Sequence, residues 1–183
     1  LNIGSSVALK VLHLKAMAQA DTLQRFQREA RVTALLSHLN IVAVRDFGVA
    51  EQGQPYLVME FVDGASLAEY LKQYGRPPLR EVIDIFSQAC SGLEHAHQKE
   101  IVHRDIKPSN LMLIHNGDDG VIVKLVDFGL ARSVNVNQVD QITQIGDVLG
   151  SPAYMSPEQA RGELLDRRTD IYSLGCALFE TLQ

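Results

Sequence analysis

The sequence predicts an α+β protein, strand-rich with one helix in its first third and mainly helical afterwards, and three observations carry that prediction. Short apolar or alternating runs at 7–12, 41–49 and 55–62 read as strands. Long stretches with apolar residues at helical spacing, at 80–98 and from 170 onward, read as helices. Between these two groups lies His103-Arg104-Asp105-Ile106-Lys107-Pro108-Ser109-Asn110, which sets several distinct polar groups beside the apolar run 111–114.

Taken in order, Gly4-Ser5-Ser6 forms a turn into the strand 7–12, which carries Lys10. Residues 20–36 repeat Leu23, Phe26, Ala30, Thr33 or Ala34, and Leu36 at helical spacing, with Asp21 as N-cap and Glu29 near the middle. The runs 41–49 and 55–62 flank Glu51-Gln52-Gly53-Gln54 and make a hairpin whose second strand ends at Met59-Glu60-Phe61-Val62-Asp63-Gly64. Residues 66–74 form a short amphipathic helix, and 80–98 a longer one with Val82, Ile83, Phe86, Ala89, Cys90, Leu93 and Ala96 along one face. His95 and His97 read as satisfied helix residues rather than ligands. The stretch 116–120 is a turn between two strands, and its paired aspartates lack the further oxygen ligands of a calcium loop. Residues 131–150 are polar and aperiodic, as in a mobile loop, and the apolar helix from Asp170 closes the chain.

Composition bounds the function. A chain of 183 residues with 46% hydrophobic and 21% charged residues and a net charge of −5 describes a soluble globular protein without the basic surplus of a nucleic-acid binder. Cys90 and Cys176 lie in apolar helical contexts without metal-ligand spacing, so they read as buried free thiols of a reducing compartment. No apolar run reaches membrane-spanning length and the amino terminus is not a signal peptide, which makes the cytoplasm the default location.

The polar octad gathers a carboxylate, an ammonium and an amide, which together orient a hydroxyl, neutralise phosphate and hold a divalent metal. Downstream, Asp127-Phe128-Gly129 adds a second carboxylate at the end of a strand-like run. These two ordered motifs resemble the catalytic loop and the Asp-Phe-Gly segment of the eukaryotic-type serine/threonine protein kinases, and from Tyr154 to Ala160 the chain is similar to bacterial members.

The resemblance runs from about Val7 to Gln183 and implies a two-lobed fold, with 1–62 as a small lobe and 63–183 as a large lobe. At this length it also implies a truncated domain, lacking a glycine-rich loop before Leu1 and further helices after Gln183, and therefore weak ATP binding by the isolated piece. Asp105 is then the residue that accepts the substrate hydroxyl proton and Lys107 the one that stabilises the transferred phosphoryl group. Asn110 and Asp127 are implied as Mg²⁺ ligands. Lys10 reaches the phosphates of ATP and Glu29 is its ion-pair partner; backbone groups of Glu60 and Val62 meet adenine, and Met112 joins the nucleotide-binding set. Protein serine and threonine hydroxyls are the implied acceptors.

Departures from the family pattern carry expectations of their own. Thr33 stands where the family has an aliphatic residue against the Phe of Asp-Phe-Gly, so packing there is expected to be looser. Ser156-Pro157-Glu158 replaces Ala-Pro-Glu, and the arginine that pairs with this glutamate is missing, which would strand Glu158 if it were buried. Asp170 resembles the buried aspartate that braces the catalytic loop, with a plain helix cap as the simpler reading. Arg104 is implied to meet a phosphate on the loop 133–150, with Thr143 as acceptor; Ile145, where bacterial relatives often carry another threonine, leaves Thr143 as an ordinary loop residue as the other reading. Ser151 is placed to bridge Asp105 and Lys107. A small-molecule phosphotransferase would lack a segment ending in Pro-Glu, and a pseudokinase scaffold would typically have lost Asp105, Asp127 or Lys10, all of which are present.

Overall fold

A computed structural model describes residues 4, 6–11, 27, 30–51, 53–115, 117, 120–128 and 152–183. Glu29, Gly129, Thr143 and Ser151, most of the helix expected at 20–36 and the loop 131–150 lie outside the described residues.

Two three-stranded sheets organise the strands. In the first, β1 (Val7–Val11), β2 (Val44–Val49) and β3 (Pro55–Glu60) are antiparallel in the order β1-β3-β2. The hairpin is as expected in kind but not in extent, because β2 begins at Val44 rather than at Ile41. Ile41 instead forms a parallel bridge to Leu125, and Val42 N–H donates to the Leu125 carbonyl at 2.9 Å while Leu125 N–H donates to that of Asn40 at 2.9 Å. The segment 40–43 is thereby spent joining the two sheets instead of extending the hairpin. The expected helix ends at Thr33 in three successive backbone hydrogen bonds, the last from Leu36 N–H to the Thr33 carbonyl at 3.0 Å, so its last turn tightens before Leu36.

In the second sheet, β4 (Ala65–Ser66), β5 (Leu111–His115) and β6 (Val121–Leu125) run antiparallel in that order. Gly64 sits so close to β5 that a Cβ there would lie 2.3 Å from the Leu113 carbonyl oxygen, which is why a glycine precedes β4. Helix α1 (Leu67–Tyr74) starts on a reciprocal cap: the Ser66 hydroxyl accepts from Glu69 N–H, and the Glu69 carboxylate accepts from Ser66 N–H. That arrangement holds the Glu69 carboxyl below its usual range.

Helix α2 (Leu79–Gln98) buries Val82, Ile85, Phe86, Ala89, Leu93 and Ala96. Ile83 and Cys90, expected on the same face, lie seven residues apart on its outer edge and are exposed. The buried-thiol expectation therefore fails for Cys90 and holds partly for Cys176, which is half-buried; both are free. Gly92 lets this helix approach the sheet, since a Cβ would meet Leu125 Cδ1 at 2.9 Å and the Asn40 carbonyl oxygen at 3.0 Å. Helix α3 (Pro157–Ala160) has a second reciprocal cap, between Ser156 and Gln159.

Helix α4 runs from Arg167 to Leu182, three residues earlier than expected, because Asp166 rather than Asp170 caps it by accepting from Arg168 N–H at 2.8 Å. The main core joins α2, the second sheet and the inner face of α4 through Leu174 and Ala177, with Ile106 and Phe128 from the polar loops sealed into it. No helix among the described residues is long and apolar enough to cross a membrane.

Candidate functional site

The loop 103–110 hangs from one buried carboxylate. Asp170, fully buried in the first turn of α4, accepts the backbone N–H of His103 at 2.8 Å and of Arg104 at 2.7 Å. Its Oδ2 also lies 2.7 Å from His97 Nε2. Arg104 adopts the left-handed region (φ +66°), which costs a non-glycine residue about 1 kcal/mol and turns consecutive amides toward the same carboxylate. His97 is thus a satisfied helix residue that also joins the brace, while the His95 ring lies tilted against His38 with centroids 5.1 Å apart.

His103 ties this loop to the Asp127 segment. Its Nε2 donates to the Val126 carbonyl at 2.9 Å and its Nδ1 accepts from Asp105 N–H at 3.3 Å, a pattern that fits the neutral ring. Burial pushes its pKa below the usual range, against the opposing pull of Asp170 and other nearby carboxylates. The ring packs on Phe128 with centroids 4.4 Å apart. Thr33 itself is buried, as is Leu36 three residues on.

Asp105, Lys107 and Asn110 converge. Asp105 Oδ2 lies 2.9 Å from Lys107 Nζ and accepts from Asn110 Nδ2 at 3.1 Å, and the same amide donates to the Asp105 carbonyl at 2.7 Å. With both amide hydrogens turned to Asp105, the oxygen of Asn110 is the group left for a cation. Val126 N–H donates to the Asn110 carbonyl at 3.1 Å, which brings Asp127 alongside. Asp127 has a left-handed backbone (φ +62°), and its Oδ1 pairs with Lys10 Nζ at 2.6 Å. Both side chains are about one-third exposed, at 31% and 37%. Two oxygen donors of this kind, a carboxylate and an amide, suit a hard divalent cation that keeps part of its water.

At the other end, β3 stops at Glu60 and the chain leaves regular structure through Phe61 and Val62. Met112 lies on β5 opposite Lys124. Lys124 is a site residue that sequence reasoning missed: its Nζ sits 3.0 Å from both carboxylate oxygens of Glu60. The available signal was a lone lysine within the apolar run 121–126.

Glu158 is not stranded, because it has a partner among the described residues. It is half-exposed, accepts from the Thr169 hydroxyl at 2.8 Å, and is held below its usual pKa by its own backbone N–H and by Thr169. The neighbouring Gln159 donates to the Arg104 carbonyl at 2.8 Å, and the Tyr154 hydroxyl donates to Glu180. So the Pro-Glu segment is fastened both to the loop 103–110 and to α4.

The chain as a whole has counterparts among known proteins. A family model described as "Protein kinase domain" matches residues 2–183. The chain is 42% identical to the serine/threonine-protein kinase PknB of Mycobacterium leprae over its whole length and 43% identical to PrkC of Bacillus subtilis over 96% of it. It spans 29% and 26% of the length of those two relatives. The kinase domain of PknI from Mycobacterium tuberculosis superposes with a TM-score of 0.73 at 32% identity, covering 94% of this chain and 61% of that one. Rad53 in complex with AMP-PNP superposes with a TM-score of 0.74 at 29% identity, over 96% of this chain and 40% of that one. The chain belongs to the protein kinase family.

Proposed function

We propose that the protein carrying this chain transfers the γ-phosphate of ATP to serine and threonine hydroxyls of proteins, with 1–62 as the small lobe and 63–183 as the large lobe. The observation that carries this reading is the convergence of Asp105, Lys107 and Asn110 on one carboxylate, with Asp127 alongside. Family membership and kinases named for serine/threonine at 40–43% identity support it.

In this reading Asp105 accepts the proton of the incoming hydroxyl, oriented by Asn110 and Lys107. Lys107 then neutralises charge on the phosphoryl group in flight, and Lys10 holds the nucleotide phosphates with Glu29 behind it. Asn110 and Asp127 would hold Mg²⁺, which supplies charge neutralisation at the phosphate oxygens. Backbone groups of Glu60 and Val62 would contact adenine, with Met112 in the same pocket. Positioning rather than covalent chemistry is what the protein contributes.

Regulation by phosphate on Thr143, drawn to Arg104, and bridging of Asp105 and Lys107 by Ser151, belong to the same reading. The direct contact of Lys107 with Asp105 shows what such a bridge would have to insert itself into. The same reading includes a role in signalling, a cytoplasmic setting and no nucleic-acid partner, and the free thiols, acidic charge and kinase relatives support it. Incubation of the purified protein with γ-labelled ATP, Mg²⁺ and protein acceptors should place label on serine and threonine, and chelating the metal should abolish it. Label found only on small molecules, or none at all, would overturn the reading.

A further inference from the structure

We infer that Lys124 and Glu60 are a positioning pair that sets the distance between the adenine-contacting end of β3 and the metal-binding Asp127. This rests on the nucleotide-site reading above. Lys124 is the lone charged residue of β6, and its side chain is only 11% exposed. Withdrawing an ammonium and a carboxylate from water is costly unless the geometry repays it, and here both carboxylate oxygens lie 3.0 Å from Nζ.

The two partners sit where such a link matters. Glu60 is the last residue of β3, and Lys124 stands three residues before Asp127 on a different sheet. Between them the segment 40–43 already makes backbone links to both. Glu60 N–H donates to the Ala43 carbonyl at 2.9 Å, and Ala43 N–H reaches back to Glu60 Oε2 at 3.3 Å. Val42 and Asn40 occupy both backbone groups of Leu125. The ion pair closes this ring through side chains, so the Glu60 end of β3 cannot swing away from β6 without stripping an almost buried ammonium of its partner. A nucleoside triphosphate with its divalent cation must touch both ends at once, whereas adenosine needs only the strand end. The pair therefore serves the triphosphate and leaves the nucleoside nearly indifferent.

The test measures the dissociation constants of Mg²⁺·ATP and of adenosine in the full-length protein carrying residues 1–183, with unfolding temperatures recorded for each variant. Lys124→Met and Glu60→Gln should each weaken Mg²⁺·ATP about tenfold and adenosine less than about twofold, as expected for losing one half of a partly desolvated charge pair. Lys124→Arg, which keeps a bidentate donor, should retain the affinity, and it reads the proposal out even if Lys124→Met does not fold. The reversed pair, Glu60→Lys with Lys124→Glu, should bind Mg²⁺·ATP better than either single variant. Equal loss for ATP and adenosine, no loss for either, or a reversed pair no better than the singles would overturn the proposal. An unaltered protein that binds no ATP would instead overturn the nucleotide-site reading, and the proposal with it.

Discussion

Asp170 and Asp127 are both aspartates of the same site, and they are held in opposite ways. Asp170 is fully buried and accepts two backbone amides while meeting His97, so all its partners are fixed parts of the fold. Asp127 is one-third exposed and, among the described residues, pairs at 2.6 Å with the flexible end of a lysine. A buried carboxylate with backbone donors is architecture, since its loss leaves several polar groups without partners in a dry interior. A half-exposed ion pair contributes little to stability and can be rearranged by a ligand at small cost. The difference teaches that the loop bearing Asp105 is organised before any nucleotide arrives, while Asp127 remains available to one.

The largest way to break this contrast is to remove the brace. Asp170→Ala should destabilise the protein by about 3–5 kcal/mol, read from urea unfolding, because it leaves the amides of His103 and Arg104 unpaired in the interior. A loss smaller than that of an ordinary surface substitution would mean the brace is ornamental.

A second way uses pH, through the buried ring that joins the two regions. His103 has its pKa lowered from 6.5 by burial, so below that value the unfolded chain takes up a proton that the folded one refuses. Stability is therefore expected to fall as pH drops below 6.5, and His103→Gln should flatten that slope in unfolding curves collected between neutral and mildly acid pH. An unchanged slope would place the acid sensitivity elsewhere.

The smallest expected effect on stability is at the open end. Lys10→Met should change the unfolding free energy by less than about 1 kcal/mol, as half-exposed pairs do, yet calorimetry should show nucleotide binding severely weakened. A large stability loss here would erase the contrast with Asp170.

Much of this was legible in the sequence, for reasons that are local. Asp105, Lys107, Asn110 and Asp127 lie within short segments whose spacing already brings them together, and caps such as Ser66 with Glu69 are written three residues apart. What was hidden crosses between elements. Periodicity placed His97 and Cys90 on a helix but could not say that one would meet Asp170 and the other would face solvent. Apolar character made Ile41 a strand residue without showing that its partner would be Leu125 in the other sheet. Glu60 drew notice for its backbone, while its carboxylate, bound to Lys124, was invisible because nothing in either segment names the other.

The central claim is that Asp105 takes the hydroxyl proton within a preformed loop, and Asp105→Asn tests it most directly. In single-turnover transfer of phosphate from ATP to a protein acceptor, this variant should bind Mg²⁺·ATP normally and transfer about 10²–10⁴-fold more slowly, the usual worth of a positioned base. Undiminished transfer by the Asp105→Asn protein would contradict the account.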